Sequence, residues 1–174
     1  MISASTSVYG IVGNPIEHSL SPLLQNALAK EMNIDMSYVA FHVTDNIKAA
    51  IDGAYLLGIK GFNVTIPFKK DMMSIVTDID ERAKKIGAIN TLKKVESGYK
   101  GYNTDILGLK YSIKNNGMSI KGKNVILLGA GGAAKAALYL AIEEDAKSVT
   151  IINRNVERAN ELKKEVCDTF KNWT

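Results

Sequence analysis

Two different spacings of hydrophobic residues alternate along the first half of the chain. Short runs rich in β-branched and aromatic residues predict strands, and apolar residues spaced three or four apart predict helices between them. Strands are predicted over residues 7–13, 36–43 and 60–67, and helices over residues 21–32 and 46–58. This alternation predicts an α/β fold with a mostly parallel sheet and covering helices.

Local signals mark some ends of these elements. Ser21 is a candidate N-cap with Pro22 at the first helical position, Gly58 is a candidate helix stop, and Pro67 ends the third strand. Two short helices are then predicted around residues 70–76 and 79–86. A hairpin is predicted over residues 89–105, with its turn at Ser97-Gly98.

A second strand–helix series begins after a linking helix. The linking helix is predicted over residues 106–117, and the glycine-rich segment 123–132 begins the new series with a strand. A second strand over residues 148–154 and a helix over residues 155–170 complete it. We therefore expect a first domain over 1–105, a linking helix and turn over 106–122, and half of a Rossmann-type domain over 123–174.

Composition excludes several classes of protein. The single cysteine, Cys167, cannot form a disulfide within the chain, which suits a reducing cytoplasm. The first residues lack the basic head and long apolar run of a signal peptide, and no apolar run is long enough to span a bilayer. We therefore expect a cytoplasmic protein without a membrane partner, and the pattern predicts no metal site.

The net charge of +4 is unevenly distributed. Residues 1–105 contain 11 basic and 11 acidic side chains, whereas residues 106–174 contain 11 and 7. A basic half suits a cofactor rich in phosphate, and a solvated surface without any partner is the alternative. No long basic run or interleaving of basic and aromatic residues supports a nucleic-acid partner.

The segment after the first strand of the second series predicts a dinucleotide-binding loop. Gly129, Gly131 and Ala134 have the G-x-G-x-x-[G/A] spacing between a strand and a helix. The first glycine permits a tight turn, the second lets backbone N–H groups approach a pyrophosphate, and the small Ala134 allows close helix packing. The alternative is a tight turn that is purely structural.

The end of the next strand indicates which cofactor the loop would hold. An NAD site usually has an acidic residue there, but this chain has Asn153-Arg154, with Arg158 one helical turn later. Arginine suits bidentate contact with a phosphate, so the pair predicts NADP through its 2′-phosphate. The alternative is an ordinary solvated pair of arginines.

Four polar stretches interrupt the hydrophobic pattern of the first half and the linking helix. They are "GNPIEHSLSP" (13–22), "NVTIPFKK" (63–70), "GAINT" (87–91) and "GYNTDILG" (101–108), and they contain Ser19, Ser21, Asn63, Thr65, Lys69, Asn90 and Asp105. Hydroxyls, amides, a lysine and a carboxylate at strand ends suit a small polyhydroxylated acid. Structural alternatives exist: Ser21 and Asp105 could be helix caps, Asn63 and Thr65 could satisfy a turn, and Lys69 could be solvated.

The ordered stretches "GNPIEHSLSP", "NVTIPFK", "GAINT", "GYNTDILG", "GAGGAAKA" and "NRNVER" resemble the signatures of shikimate dehydrogenases over nearly the whole chain. Bifunctional dehydroquinase–shikimate dehydrogenases and quinate/shikimate dehydrogenases share them. The resemblance implies an oxidoreductase that reduces 3-dehydroshikimate to shikimate with NADPH, on the route to chorismate and aromatic amino acids. It also implies an N-terminal substrate domain and a C-terminal Rossmann domain.

The resemblance also implies roles for individual residues. Lys69 corresponds to the catalytic lysine and Asp105 to its partner; which of the two donates the proton stays open. Substrate contacts fall on Ser19, Ser21, Asn63, Thr65 and Asn90. Cofactor contacts fall on Glu81 near the nicotinamide, on the phosphate loop of Gly129, Ala130, Gly131, Gly132 and Ala133, and on Asn153, Arg154, Asn155 and Arg158.

The chain departs from the resembling family in two respects. Asn155 replaces a threonine, and its amide can still act as a polar cap. Family members are about a hundred residues longer, as a complete Rossmann domain requires. We expect a truncated, proteolysed or frameshifted form of a longer dehydrogenase, with an exposed sheet edge that would favour a homodimer. A natural short protein that binds shikimate or NADP without turnover is the alternative.

Three other functions share some of these sequence features. A quinate/shikimate dehydrogenase of broader specificity would have the same signatures. A methylenetetrahydrofolate dehydrogenase would share the architecture, but "HSLSP" and "NVTIPFK" argue against it. A nucleic-acid-binding protein would need an affinity that falls steeply with salt.

Overall fold

The structure is a computed structural model that describes residues 2–170. The chain divides into two compact units, Met1–Asn103 and Thr104–Thr174. Among the described residues, no helix is both long enough and apolar enough to cross a membrane.

The first unit is a six-stranded sheet with helices, built from residues 7–102. Its elements are β1 (Ser7–Gly13), α1 (Ser21–Glu31), β2 (Met36–His42), α2 (Ile47–Leu56), β3 (Gly61–Val64), a 3₁₀ helix (Asp71–Ser74), β4 (Asp78–Ile79), α3 (Glu81–Ile86), β5 (Thr91–Val95) and β6 (Gly98–Tyr102). The strand order is β2-β1-β3-β5-β6-β4. β1 is parallel to β2 and β3, β4 is parallel to β6, and the β5–β6 hairpin adds antiparallel pairs. The predicted α/β class is confirmed.

Alternation along β3 separates the core from the polar face of the sheet. Phe62 and Val64 are buried in the main hydrophobic cluster, where the Phe62 ring lies 5.6 Å from that of Phe41 and 5.8 Å from that of Tyr99. Asn63, between them, points to the opposite face because successive side chains of a strand alternate. Tyr38 lies in a separate cluster with Ile11 and Ile16.

Side-chain caps mark the start of two helices in this unit. The carboxamide oxygen of Asn46 accepts from the N–H of Ala49 at the start of α2, and Gly58, with φ of +81°, follows its end. Asp80 caps α3 through the N–H of Arg82, so this helix begins at Glu81 rather than at residue 79. Residues 78–79 form the short strand β4 instead.

Other boundary predictions were wrong. Ser21 is not the N-cap of α1: Leu20 holds that position without a side-chain cap, and Ser21 and Pro22 begin the helix. The third strand ends at Val64, and the helix predicted around 70–76 is only a 3₁₀ turn. The hairpin turns at Glu96-Ser97, because Gly98 already pairs with Val95.

The second unit contains two parallel strands with helices. Its elements are α4 (Asp105–Asn115), β7 (Asn124–Leu128), α5 (Gly132–Glu143), β8 (Ser148–Ile152) and α6 (Val156–Thr169). Asp105 is not the cap of α4, because Thr104 is the N-cap residue and Asp105 is the first helical residue. Asn155 does cap α6, accepting from the N–H of Arg158 at 2.9 Å, as predicted.

Candidate substrate and cofactor sites

Backbone hydrogen bonds join the polar loops at the ends of β1 and β3. The N–H of Thr65 donates to the carbonyl of Val12 at 3.0 Å, and the N–H of Asn14 donates to the carbonyl of Ile66 at 3.0 Å. Gly13 makes this approach possible, because a Cβ built on it would lie only 2.5 Å from Cγ2 of Thr65. The loop 13–22 therefore runs beside Thr65.

Within that loop, a compact turn orders the two predicted serines. The N–H of Ser19 donates to the carbonyl of Ile16 at 3.0 Å, and the Oγ of Ser19 accepts from the N–H of Ser21 at 3.3 Å. Both serines are half-buried, whereas the Ile16 side chain is buried in the cluster with Tyr38. The loop is thus anchored by Ile16, while both serines remain partly exposed.

Three polar residues that the sequence pattern did not indicate support the same loop. Nδ1 of His42 lies 3.2 Å from Oε1 of Glu17, and its Nε2 lies 3.0 Å from Oδ1 of Asn14. The pKa of Glu17 is lowered, mainly by a hydrogen bond from its own backbone N–H and further by His42. Sequence offered no signal for this contact, because His42 ends β2 and lies 25 or more residues away from its partners.

Backbone hydrogen bonds also bring Lys69 beside Asn90. The N–H of Ile89 donates to the carbonyl of Lys69 at 2.8 Å, and the N–H of Val64 donates to the carbonyl of Asn90 at 2.8 Å. Asn90 is buried, with 7% of its surface exposed, while Lys69 is half-buried. The segments that contain Asn63, Thr65, Lys69 and Asn90 therefore form one cluster.

A series of side-chain hydrogen bonds connects Tyr38 to Asn90 within this cluster. The Tyr38 hydroxyl donates to Oδ1 of Asn63 at 2.7 Å, and Nδ2 of Asn63 donates to Oγ1 of Thr91 at 3.3 Å. The Thr91 hydroxyl in turn donates to Oδ1 of Asn90 at 2.9 Å. Burial raises the pKa of Tyr38 to about 12, so its hydroxyl remains a donor.

The two remaining predicted acidic residues each begin a helix. Asp105 begins α4 in the second unit, so its pairing with Lys69 stays a prediction. Glu81 begins α3 and is exposed, with a surface ion pair of 2.6 Å to Lys84. Among the described residues, no group of three or more His, Cys, Asp or Glu side chains could hold a metal ion.

The glycine loop of the second unit lies between β7 and α5. Gly129 has φ of +111°, a conformation that favours glycine, and its N–H donates to the carbonyl of Ile152 at 2.8 Å. Gly131 is the N-cap residue of α5, and Gly132 is its first residue. A Cβ at either position would meet no protein atom within 4 Å, so the backbone here is open to a ligand.

The turn after β8 places two arginines beside the glycine loop. Nδ2 of Asn153 donates to the carbonyl of Asn155 at 2.6 Å, which shapes the turn before α6. Arg154 and Arg158 are exposed, and neither guanidinium has an acidic partner within residues 2–170. The bond between Gly129 and Ile152 brings this turn next to the loop.

These features fit a phosphorylated dinucleotide. Open backbone N–H groups at the start of a twelve-residue helix suit a pyrophosphate, and α5 has no acidic residue in its first turn to oppose it. The two unneutralised guanidinium groups suit a further phosphate. Lys135, in contrast, does not suit this role, because its side chain is buried and ion-paired with Glu165 of α6.

One α/β unit contains a polar cluster, and the other contains a glycine loop of the kind that binds phosphate groups. These features are typical of two-unit α/β proteins that bind a dinucleotide. Comparison with known sequences gives the family. The profile of the shikimate dehydrogenase substrate binding domain matches residues 11–92, and that of shikimate / quinate 5-dehydrogenase matches residues 112–172. The chain belongs to the shikimate dehydrogenase family.

Individual relatives support this assignment. The chain is 43% identical over 169 residues to the shikimate dehydrogenase (NADP(+)) of Methanocaldococcus jannaschii, covering 97% of this chain and 59% of that protein. A crystal structure of a shikimate dehydrogenase in complex with NADP+ is 42% identical, has a TM-score of 0.94, and is matched over 100% of this chain and 60% of that one. The chain thus spans about 60% of the length of these relatives.

A third relative contains both kinds of ligand. The shikimate 5-dehydrogenase of Listeria monocytogenes, solved in complex with shikimate and NAD, is 30% identical with a TM-score of 0.89. The match covers 96% of this chain and 59% of that one.

Proposed function

We propose that this chain provides the substrate and cofactor sites of an NADP-dependent shikimate dehydrogenase. The reaction is the reversible reduction of 3-dehydroshikimate to shikimate in aromatic amino-acid biosynthesis. The main support is the cluster in which Lys69 lies beside Asn90, with Asn63 and Thr65 on the adjoining strand end. A cationic amine among ordered hydroxyl and amide groups suits reduction of a carbonyl on a polyhydroxylated acid.

The side chains of the first unit have distinct roles in this proposal. Ser19, Ser21 and Thr65 offer hydroxyls, and Asn63 and Asn90 offer amides, for the hydroxyl and carboxylate groups of the substrate. Lys69 stabilises the negative charge that grows on the carbonyl oxygen and can donate its proton there. Asp105 orients the Lys69 ammonium, and Glu81 borders the nicotinamide.

The second unit would hold the cofactor. The backbone from Gly129 to Ala133 binds the pyrophosphate at the N-terminus of α5. Arg154 and Arg158 bind the 2′-phosphate, while Asn153 and Asn155 shape the turn that carries them. NADPH, when bound, supplies the hydride for the reduction.

The experiment compares catalysis with binding on the purified chain. Reduction of NADP+ is followed with shikimate, with quinate, and with NAD+ in place of NADP+. Thermal unfolding is measured with each ligand. Turnover with shikimate and NADP+ supports the proposal, and faster turnover with quinate or NAD+ would change the named substrate or cofactor.

Binding without turnover defines the alternative function. If shikimate and NADP+ raise the melting temperature but no NADPH forms, the chain is a binding fragment rather than an enzyme. If neither ligand shifts the melting temperature and no NADPH forms, the proposed function is wrong.

Two further properties belong to this proposal. We expect the protein in the cytoplasm, where its single thiol stays reduced, and we expect a homodimer. Fractionation of cells would test the first expectation and sedimentation velocity the second. Binding of DNA or RNA that persists at physiological salt would contradict the expectation of no nucleic-acid partner.

A further inference from the structure

The imidazole of His42 contacts the loop 13–22 at two separate positions. His42 is the last residue of β2 and lies in register with Gly13, where the loop begins. Its Nδ1 lies 3.2 Å from Oε1 of Glu17, and its Nε2 lies 3.0 Å from Oδ1 of Asn14. One side chain on a strand therefore holds both the entrance of the loop and the turn that follows it.

The carboxylate of Glu17 connects this contact to the two serines of the candidate site. Its Oε2 accepts from the N–H of Ile16 at 3.1 Å, while the carbonyl of Ile16 accepts from the N–H of Ser19 at 3.0 Å. The Oγ of Ser19 in turn accepts from the N–H of Ser21. A displacement of Glu17 would therefore move the turn that determines where Ser19 and Ser21 lie.

Both ring nitrogens of His42 face oxygen atoms that accept hydrogen bonds. A neutral imidazole has one N–H and can donate to only one of them, whereas the imidazolium donates to both. The lowered pKa of Glu17 keeps its carboxylate ionised throughout the pH range in which histidine changes its charge. Loss of the ring proton would remove the attraction to Glu17 and would require the Asn14 carboxamide to turn. The observed arrangement is therefore strongest when His42 is protonated.

The neighbouring elements contain few other charges that could replace Glu17. β1 has no charged residue, and α1 has none in its first two turns. On the loop itself, His18 acts on Glu17 more weakly than His42 does. The charged side chains of the adjoining segments are Asp45, Lys48 and Asp52 after β2, and Lys69 and Lys70 after β3. Lys48 and Asp52 form an ion pair with each other. Among the described residues, Glu17 is the one carboxylate in contact with the His42 ring.

We propose that His42 is a positioning residue whose imidazolium, bonded to Glu17 and Asn14, holds the loop 13–22 so that Ser19 and Ser21 are placed for the substrate. The assignment rests on the proposed function for the two serines. His42 acts through Glu17, so its loss should weaken substrate binding and leave the chemical step unchanged. The effect is modest, because 41% of the His42 side chain and 58% of the Glu17 side chain are exposed.

The decisive variant is His42→Leu, which removes both donors at an exposed position of a strand end. Its matched control is His18→Leu, because His18 is the other histidine of the chain and is exposed on the same loop. Amide hydrogen exchange of the ligand-free protein reports the loop directly. We expect faster exchange over residues 16–21 in His42→Leu and exchange like that of the unaltered chain in His18→Leu.

Substrate binding and its pH dependence provide the second measurement. Near the acidic end of the range from about pH 5 to pH 8, we expect the dissociation constant and KM for shikimate to rise about fivefold in His42→Leu, with kcat within about twofold. In the unaltered chain and in His18→Leu, the dissociation constant should rise about threefold across this range as His42 loses its proton. His42→Leu should not show this rise. The double variant His42→Leu/Glu17→Gln should bind shikimate about as weakly as His42→Leu, because both changes break one contact.

The outcomes separate this inference from the proposed function. Unchanged loop exchange in His42→Leu would overturn the inference, and so would an affinity for shikimate equal to that of the unaltered chain. A fall in kcat without a change in KM, or a pH profile that persists in His42→Leu, would also contradict it. If the unaltered chain does not bind shikimate while His42→Leu speeds exchange over residues 16–21, the support of the loop by His42 stands and the proposed function fails.

Discussion

Gly13 illustrates how a single missing side chain shapes the candidate site. A Cβ at this position would lie 2.5 Å from Cγ2 of Thr65 and 2.9 Å from Cδ1 of Ile16. Gly13→Ala should therefore push the two loops apart, lowering the free energy of unfolding by about 1–3 kcal/mol. It should also weaken shikimate binding, because Thr65 and the loop of Ser19 both move.

Gly53 in α2 offers the matched control for this substitution. A Cβ there would meet no atom within 4 Å, so Gly53→Ala should be neutral or stabilising by up to about 1 kcal/mol. Urea unfolding and shikimate titration measure both effects. Equal behaviour of the two variants would show that the contact between Gly13 and Thr65 does not constrain the site.

The catalytic role of Lys69 can be distinguished from that of the adjacent Lys70 by removing each charge in turn. Lys69→Ala should lower turnover about 100-fold or more, the range for losing an acid–base group, while shikimate binding stays largely intact. Lys70→Ala is the control, since Lys70 is the adjacent, exposed lysine. Steady-state kinetics with a separate binding titration make the test. Near-normal turnover of Lys69→Ala would remove this residue from its catalytic role.

The predicted polar residues and the hydrogen bond from Tyr38 to Asn63 differ in how visible they are in sequence. Ser19, Asn63 and Asn90 stand out because polar groups interrupt hydrophobic strands near their ends. Tyr38 does not, because an aromatic residue in a strand is ordinary and its partner Asn63 is 25 residues away. Only the register of β2, β1 and β3 reveals which hydroxyl lies near which amide.

At the scale of elements, the carboxamide of Asn26 attaches α1 to the outer strand β2 by hydrogen bonds. Its Nδ2 donates to the carbonyls of Tyr38 and Pro22, each at 2.8 Å, and its Oδ1 accepts from the N–H of Tyr38 at 2.9 Å. The side chain thus occupies backbone groups that an edge strand would otherwise leave unpaired. The helix that follows Ser19 is held in place by the same contacts.

Asn26→Ala should loosen this attachment. We expect a loss of about 1–3 kcal/mol in the free energy of unfolding, from hydrogen bonds worth about 1 kcal/mol each. Gln25→Ala, one position earlier on α1, is the control and should cost less. Urea unfolding gives the free energies, and amide hydrogen exchange over residues 36–42 reports the strand. Equal losses for both variants would contradict the role of Asn26.

Of the N-caps that the sequence suggested, only Asn155 forms a side-chain cap in the structure. The Asn155 cap was expected from sequence, and its carboxamide does accept the N–H of Arg158. Ser21 and Asp105 failed as caps because Leu20 and Thr104 precede them in the N-cap positions, without side-chain hydrogen bonds. Cap preferences are local, and the backbone path set by neighbouring loops overrides them.

At the scale of the whole molecule, two buried tyrosines make stability sensitive to high pH. Burial raises the pKa of both Tyr38 and Tyr99 to about 12, against about 10 in an unfolded chain. Between these values the unfolded chain releases protons that the folded chain retains. The stabilisation is complete below about pH 10 and is lost as pH rises toward 12.

The double variant Tyr38→Phe/Tyr99→Phe should therefore show a shallower loss of stability above pH 10 than the unaltered chain. Urea unfolding at a series of pH values measures the slope. Tyr111→Phe is the control, because Tyr111 is 63% exposed, and it should leave the slope unchanged. An unchanged slope in the double variant would contradict the assignment.

The two units should respond to different ligands. In hydrogen exchange followed by mass spectrometry, we expect shikimate to slow exchange over residues 13–22, 61–69 and 87–91. NADP+ should slow exchange over residues 128–135 and 152–158. A ligand at a hundredfold excess over its dissociation constant stabilises by about 2.7 kcal/mol, enough to be seen as slower exchange. Protection of the opposite unit would contradict the assigned sites.

Sequence alone determined the α/β class, the glycine loop, the arginine pair and the residue types of the polar cluster. These follow from periodicity, spacing and side-chain chemistry, which act over a few residues. The tertiary structure decided which loops meet, that Gly13 leaves room for Thr65, and that the Tyr38 hydroxyl meets Asn63. Those depend on strand register and on packing between residues far apart in the chain, which the local preferences of each segment do not determine.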